Sequence, residues 1–193
     1  MTSSKMPLIL GIGGTLREGS STERALTVAL RAVEAKGART RLLGGAFLAS
    51  LPIYNPATRE VTEAQEELAR AVSQADGIIV ASPGYHGSIS GVIKNTLDTL
   101  EALRGDPRPY FTDRAVGCVI TADGSQAAGT TLIALRSIIH ALRGWPTPYG
   151  AALNATSASF DAEGNCVDPK DAWQLALVGE QVLDFAVMKT RPA

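Results

Sequence analysis

The chain has 193 residues, of which 45% are hydrophobic and 19% are charged, a composition typical of a folded domain rather than of a disordered segment. Its formal net charge of -1 and the lack of a basic stretch argue against a nucleic-acid-binding protein. The charge is also too small for the strongly acidic surface that steers small electron carriers to basic partners.

Apolar runs alternate with helical repeats along the sequence. Strands are predicted over residues 7–12, 40–43, 77–82, 115–121 and 145–153. Helices are predicted over residues 23–36, 62–74, 89–103, 129–142 and 171–189. The second helix begins with a capping-box pattern, Thr62 to Gln65. No repeat or linker divides the sequence, so we expect one domain over residues 1–193.

Repeated strand–helix units predict a parallel sheet that is covered by helices on both faces, which is a three-layer α/β sandwich. Right-handed crossovers leave few topologies for such a sheet. With five strands we expect the flavodoxin-like order 2-1-3-4-5. Ligands then bind beyond the C-terminal ends of the first, third and fourth strands, so the loops after these strands form the candidate site.

The two cysteines do not indicate a metal site. Cys118 lies in an apolar run and is predicted to be a core residue, whereas Cys166 lies in a polar loop. Two cysteines in these positions fit a protein from a reducing compartment. We therefore expect a cytoplasmic protein without a signal peptide, a membrane span or a bound metal ion.

The loop after the first strand, residues 11–24, departs from two common phosphate-binding motifs. Gly14 and Gly19 have the spacing of a P-loop, but Ser20 stands where that motif requires lysine. The dinucleotide-binding fingerprint lacks its third glycine, because Leu16 occupies that position. A nucleoside triphosphatase and a Rossmann dehydrogenase are therefore both disfavoured.

The same loop combines hydroxyl groups and the cation Arg17 at the start of a helix. Arg17 can neutralise a phosphate monoester, and the first N–H groups of a helix point at a bound anion. The hydroxyl donors are Thr15, Ser20, Ser21 and Thr22. This set predicts a site for a terminal monophosphate that needs no metal. The alternative is that Ser20 and Glu23 form only a helix capping box.

The loop after the third strand predicts contact with a flat, polar ligand. Pro83 and Gly84 favour a tight turn, and Gly87 lets the backbone approach a ligand closely. Tyr85 can pack against a planar ring, and His86 is interpreted as a polar lining or subunit-contact residue rather than an acid or base. The alternative is an ordinary strand–helix turn whose tyrosine packs on the core.

Two segments resemble the NAD(P)H-dependent FMN reductase family. Residues 15–20 (TLREGS) are similar to its phosphate loop, S/T-x-R-x-x-S. Residues 83–98 (PGYHGSISGVIKNTLD) are similar to its second signature, P-x-Y-x-x-S-x-x-G-x-x-K-N-x-x-D. The resemblance extends from about residue 8 to about residue 150. It implies a flavodoxin-like fold that binds FMN non-covalently.

The resemblance also implies roles for particular residues. The phosphate would be held by Thr15, Arg17, Ser20 and Thr22, with Ser21 beside them. The isoalloxazine ring would be flanked by Pro83, Gly84, Tyr85, His86 and Gly87, with Ser88 at the end of the turn. Lys94, Asn95 and Asp98 match signature positions, for which a structural or subunit-contact role is expected.

The loop after the fourth strand contains Asp123 and Gly124. Relatives often carry more glycine here, so that backbone N–H groups reach the pyrimidine end of the flavin. Asp123 departs from that pattern, and the loop either contacts FMN, shapes the nicotinamide side, or is a surface turn without ligand contact.

These observations predict an FMN-dependent NAD(P)H oxidoreductase that needs no catalytic side chain, because the cofactor performs the chemistry. NADPH or NADH would be the reductant, with the resemblance favouring NADPH, and the acceptor would be free flavin, a quinone, an azo compound or a metal ion. We expect a homodimer or homotetramer. The alternatives are a flavodoxin-type electron carrier without nicotinamide activity and a binding protein that has lost FMN.

Overall fold

The structure is a computed structural model that describes residues 6–155 and 160–190. Its strands are β1 (Leu8–Gly13), β2 (Arg39–Leu43), β3 (Gly77–Tyr85), β4 (Ser88–Ile89), β5 (Ala115–Ala122), β6 (Trp145–Pro146) and β7 (Ala151–Asn154). Its helices are α1 (Ser21–Glu34), α2 (Gly45–Ser50), α3 (Glu63–Gln74), α4 (Gly91–Thr99), α5 (Ser125–Ala141) and α6 (Pro169–Thr190). A 3₁₀ turn, Leu100–Leu103, extends α4.

The sheet has the predicted strand order. The path β2-β1-β3-β5-β6 is parallel throughout, and β7 also pairs in parallel with β5. The strand predicted over 145–153 is divided into β6 and β7, which pair with the start and the end of β5. The interruption between β6 and β7 contains Pro148, and proline cannot donate to a ladder.

Two buried clusters lie on the two faces of the sheet. One contains Leu68 of α3, Ile93 of α4 and Leu135 of α5. The other joins Leu26 of α1 to Val178 of α6. Every residue of β5 is buried, as expected for a central parallel strand with helices on both sides. The three-layer expectation is confirmed.

Several element boundaries differ from the prediction. The fourth predicted helix begins at Ser125 rather than residue 129, and the final helix begins at Pro169. The predicted capping box of α3 is complete, with both the Thr62 and the Gln65 side chains bonded. Helix α4 begins at Gly91 rather than Ile89, because Ile89 belongs to β4.

Two short elements were not predicted. Helix α2 lacks a side-chain cap of its own; instead the backbone N–H of Gly45 donates to the Glu23 carboxylate at 2.6 Å. Strand β4 pairs antiparallel with the end of β3, Tyr85 opposite Ser88. Both depend on contacts that local sequence patterns do not report. No helix in the described ranges is long and apolar enough to cross a membrane.

Candidate functional site

A cavity of about 500 Å³ lies at the C-terminal ends of β1, β3 and β5. This volume is within the range of small-molecule and cofactor sites. Its walls come from the three loops that the topology brings together. The lining residues are Thr15, Arg17, Ser20, Ser21, Thr22, Pro83, Gly84, Tyr85, His86, Thr121, Ala122, Asp123, Ala127 and Ala155.

The loop between β1 and α1 is shaped by two glycines and one threonine. Gly14 and Gly19 have φ angles of 129° and 61°, a region that glycine enters without steric cost. The Thr15 hydroxyl accepts a hydrogen bond from the Arg17 N–H at 3.1 Å. The hydroxyl of Thr15 therefore folds the loop, while the Arg17 side chain remains exposed at the rim of the cavity.

The start of α1 faces the cavity. Ser20 is the N-cap, and its hydroxyl accepts a hydrogen bond from the Glu23 N–H at 3.3 Å. The Glu23 carboxylate does not complete a capping box, because it accepts from Gly45 of α2. The N–H groups of Ser21 and Thr22 belong to the first turn, which has no helical acceptor. Together with Arg17 they form a cationic, donor-rich pocket for an anion.

Helix α2 supports this loop from behind. A Cβ atom at Gly45 would overlap the carbonyl oxygen of Thr15, and a Cβ atom at Gly44 would lie 2.7 Å from Glu23 Oε2. The loop backbone and α2 are thus packed too closely for any side chain between them. Glycine at residue 45 is needed to keep Thr15 in its position.

A pair of hydroxyl groups joins α1 to the end of β5. Thr22 Oγ1 and Thr121 Oγ1 are 2.6 Å apart and buried, although the residues are 99 positions apart in the chain. Both residues line the cavity. Thr121 is not among the predicted site residues; the available signal is a hydroxyl residue at the C-terminal end of an otherwise apolar buried strand.

The loop after β3 is a tight hairpin rather than a simple strand–helix turn. His86 and Gly87 have φ angles of 51° and 83°, as in the two-residue type I′ turn that joins antiparallel strands. Tyr85 is 54% exposed and lines the cavity with His86. Ser88 pairs with Tyr85 in the ladder and does not line the cavity.

Gly84 lets the hairpin lie close to its neighbours. A Cβ atom at this position would be 2.8 Å from both Ala122 Cβ and Thr131 Oγ1. The residue before it, Pro83, is buried in the wall of the cavity. The backbone of the hairpin is therefore held directly against the end of β5 and against α5.

The loop after β5 contributes to two adjoining pockets. Asp123 is exposed and lines the cavity, and it also lines a neighbouring pocket of about 640 Å³. Gly124 has a φ angle of 88° and is the N-cap of α5. The neighbouring pocket is lined by Gly87, Asp123, Gly124, Ser125, Gln126, Ala127 and Thr130. Of the predicted residues, Gly87 and Gly124 are therefore beside the cavity rather than in its wall.

Among the cavity-lining residues, Ala122, Ala127 and Ala155 were not predicted. Alanine carries no chemical signal in a single sequence, so only the fold reveals such positions. Within residues 6–155 and 160–190, no three His, Cys, Asp or Glu side chains are grouped so that they could hold a metal ion.

Outside the cavity, the signature residue Asn95 fixes the segment before α3. Its Oδ1 accepts from the Tyr54 N–H at 2.7 Å, and its Nδ2 donates to the Pro52 carbonyl at 3.0 Å. Lys94 and Asp98 form an exposed ion pair at 2.7 Å. Lys94 and Asn95 line neither of the two pockets, which agrees with a structural role.

Comparison with known proteins gives one family and a shared fold. Residues 7–158 match the family described as NADPH-dependent FMN reductase. The chain is similar to an FMN-dependent NADPH-azoreductase of Staphylococcus aureus, with 29% identity over 132 residues. That match covers 67% of this chain and 66% of the relative, slightly less than two thirds of the relative's length.

Two solved structures share the fold. One is a flavoenzyme NAD(P)H:acceptor oxidoreductase from Paracoccus denitrificans, with a TM-score of 0.78 and 21% identity; the match covers 95% of this chain and 98% of that chain. The other is a WrbA-like flavodoxin from Agrobacterium tumefaciens, with a TM-score of 0.63 and 16% identity, covering 94% and 98%.

Proposed function

Because the chain belongs to the NADPH-dependent FMN reductase family, we propose that it is an enzyme that binds FMN in this cavity and reduces it with NAD(P)H. The observation that carries the proposal is the polarity of the cavity. One end has Arg17 and the open start of α1, and the other end has the Tyr85 hairpin. A phosphate group suits the first end, and a planar ring suits the second.

The first end fits a phosphate monoester. Arg17 supplies a charge, the first turn of α1 supplies N–H donors, and the Ser20 and Thr22 hydroxyls are buried beside them. In this proposal Arg17, Ser20, Ser21 and Thr22 hold the phosphate. Thr15 shapes the loop through its bond with Arg17 N.

The second end fits the flavin ring. Pro83, Gly84, Tyr85 and His86 line this end together with Asp123 and the small residues Ala122 and Ala127. A larger residue at Gly84 would displace the hairpin, since even a Cβ atom there meets Ala122 and Thr131. We propose that this close packing sets the width of the ring site.

The chemistry comes from FMN, which when bound accepts a hydride from the reduced nicotinamide and passes the electrons to the acceptor. The residues of this chain bind the cofactor and orient it for contact with the second ring. Gly87 and Gly124 line the pocket beside Asp123, which offers room for the nicotinamide nucleotide or the acceptor, and Ser88 follows Gly87 in the hairpin.

The proposed acceptor is a small molecule, namely free flavin, a quinone, an azo compound or a metal ion. Similarity to an azoreductase makes an azo dye a natural first substrate to test. We propose NADPH as the preferred reductant, on the basis of the family description. We further propose a cytoplasmic homodimer or homotetramer in which residues 1–193 form one domain.

The test combines binding and turnover. Titration with FMN should give one flavin per chain, and the complex should oxidise NADPH when an azo dye or quinone is present. Steady-state rates should follow a ping-pong pattern, because both substrates use the same flavin. If FMN binds but neither NADPH nor NADH is oxidised, the protein is an electron carrier and not a reductase.

A further inference from the structure

We propose that Thr121 positions Thr22 for binding the FMN phosphate. Thr121 donates its hydroxyl hydrogen to Thr22 Oγ1, and this fixes the Thr22 hydroxyl so that its own hydrogen points at the phosphate. The inference rests on the proposed function, because it takes FMN as the ligand. It adds a residue from β5 to a site that the loop motif alone assigns to residues 15–22.

Thr22 and Thr121 are in direct side-chain contact. The two Oγ1 atoms are 2.6 Å apart, a short distance within the range of O–H···O hydrogen bonds. Thr22 is 2% exposed and Thr121 is 3% exposed. The pair lies in the floor of the cavity, where both residues contribute to the lining. It is a direct side-chain link between α1 and β5.

The Thr22 hydroxyl has a different kind of partner from those of four other helical threonines. Thr27, Thr96, Thr99 and Thr130 each donate to the carbonyl oxygen four residues earlier, at 2.9 to 3.0 Å. Thr22 is the second residue of α1, so the residue four positions before it, Glu18, precedes the helix. Its hydroxyl is therefore free of the usual backbone acceptor.

The Thr22–Thr121 pair has one more hydroxyl hydrogen than their mutual hydrogen bond uses. Two hydroxyl groups carry two hydrogens, and the contact between them uses one. In the described part of the chain, neither hydroxyl has a second hydrogen-bond partner. One hydrogen is thus left over beside the cavity. A phosphate group can only accept from this donor. The hydrogen bond between the two hydroxyls polarises the one that faces the phosphate and so strengthens its hydrogen bond to the phosphate.

The proposed position of the phosphate decides which of the two hydroxyls donates to it. Thr22 belongs to the first turn of α1, whose N–H groups attract the phosphate. The outer donor is therefore Thr22, and Thr121 is the inner donor that does not touch the phosphate. Thr121 is a positioning residue in this arrangement.

The experiment measures the dissociation constants of FMN and riboflavin for the full chain and its variants. Thr121→Val has nearly the same shape and removes only the hydroxyl. It should weaken FMN binding about tenfold and leave riboflavin binding unchanged. Thr22→Val should weaken FMN binding at least as much. The double variant should bind FMN as Thr22→Val does, because the two hydroxyls act as one unit.

Two further variants show whether Thr121 acts through its hydroxyl group or only by supporting the fold. Thr121→Ser keeps the hydroxyl and should restore most of the FMN affinity. Thr96→Val removes an equally buried hydroxyl from α4, away from the cavity, and should leave FMN affinity unchanged. Thermal unfolding of each variant shows whether it is folded.

The inference is overturned if Thr121→Val binds FMN as the unmodified chain does. It is also overturned if FMN and riboflavin weaken equally, or if Thr121→Val is more damaging than Thr22→Val. Any of these results leaves the reductase proposal standing. If the unmodified chain binds neither flavin, both the proposed function and this inference fall.

Discussion

Arg17 is the proposed cationic ligand of the FMN phosphate. Its side chain is exposed at the rim of the cavity, in a loop that Gly14, Gly19 and Thr15 hold in shape. The sequence indicates Arg17 because a cation among hydroxyl residues suits a phosphate. It could not indicate Gly45 or Thr121, which reach the loop only through the fold.

Replacing Arg17 tests the phosphate assignment. Arg17→Ala removes a charge-assisted hydrogen bond and should weaken FMN binding about tenfold or more, with little effect on riboflavin. Isothermal titration or flavin fluorescence measures both constants. Arg39→Ala is the matched control, since Arg39 is exposed at the start of β2, away from the cavity. Equal FMN affinity in Arg17→Ala and Arg39→Ala would refute the assignment.

Two glycines provide a matched test of packing. Gly45→Ala places a methyl group against the Thr15 carbonyl, so we expect a loss of about 1–3 kcal/mol in unfolding free energy and weaker FMN binding. Gly129→Ala has no atom within 4 Å of the new Cβ and lies inside α5. It should stabilise the chain by about 0.5–1 kcal/mol. Denaturant unfolding measures the unfolding free energy of both variants. An unchanged unfolding free energy in Gly45→Ala would contradict the close packing of Gly45 against Thr15.

Among the secondary-structure elements, those with strong local signals were predicted, and those fixed by tertiary contacts were not. The buried strands β1, β3 and β5 have apolar runs, and α3 has its own capping box. Helix α2 depends instead on the Glu23 carboxylate, 22 positions earlier in the chain. Strand β4 depends on a turn in which His86 takes a positive φ angle, which few non-glycine residues do.

The segment between α2 and α3 is held by one side chain of α4. Asn95→Ala removes its bonds to Tyr54 N and Pro52 O and should cost about 1–2 kcal/mol of unfolding free energy. Hydrogen exchange at the Tyr54 amide should become faster. Lys94→Ala is the control: it removes only the exposed pair with Asp98, which contributes about 0.5 kcal/mol or less. Unchanged Tyr54 exchange in Asn95→Ala would show that Asn95 does not hold the segment.

For the molecule as a whole, the strand order followed from the repeated strand–helix pattern, and with it the edge of the sheet where the cavity lies. The cavity itself could not be predicted, because its walls include the close approach at Gly84 and alanines that carry no signal in a single sequence. Two apolar clusters stabilise the sheet from both sides. We expect binding at the strand ends to be coupled to the stability of the sheet, because a ligand that binds only the folded chain favours the folded state.

The rate at which the Cys118 thiol is labelled can measure that coupling. Cys118 is fully buried in β5, and burial raises the pKa of its thiol to about 12, so it should resist thiol reagents at neutral pH until the chain unfolds. In a Cys166→Ser background, FMN at a hundredfold excess over its dissociation constant should slow the labelling of Cys118 about a hundredfold. Mass spectrometry follows the labelling. A rate that FMN does not change would mean that the bound state is no more stable.

The most direct test of the central proposal is anaerobic reduction of the FMN complex by NADPH. FMN is added to the purified chain in a one-to-one ratio, unbound flavin is removed, and the visible flavin absorbance is recorded while NADPH is added. The proposed function predicts that flavin stays with the chain and that its absorbance is bleached, then restored when an acceptor is admitted. A chain that retains no flavin, or retained flavin that neither NADPH nor NADH bleaches, would contradict it.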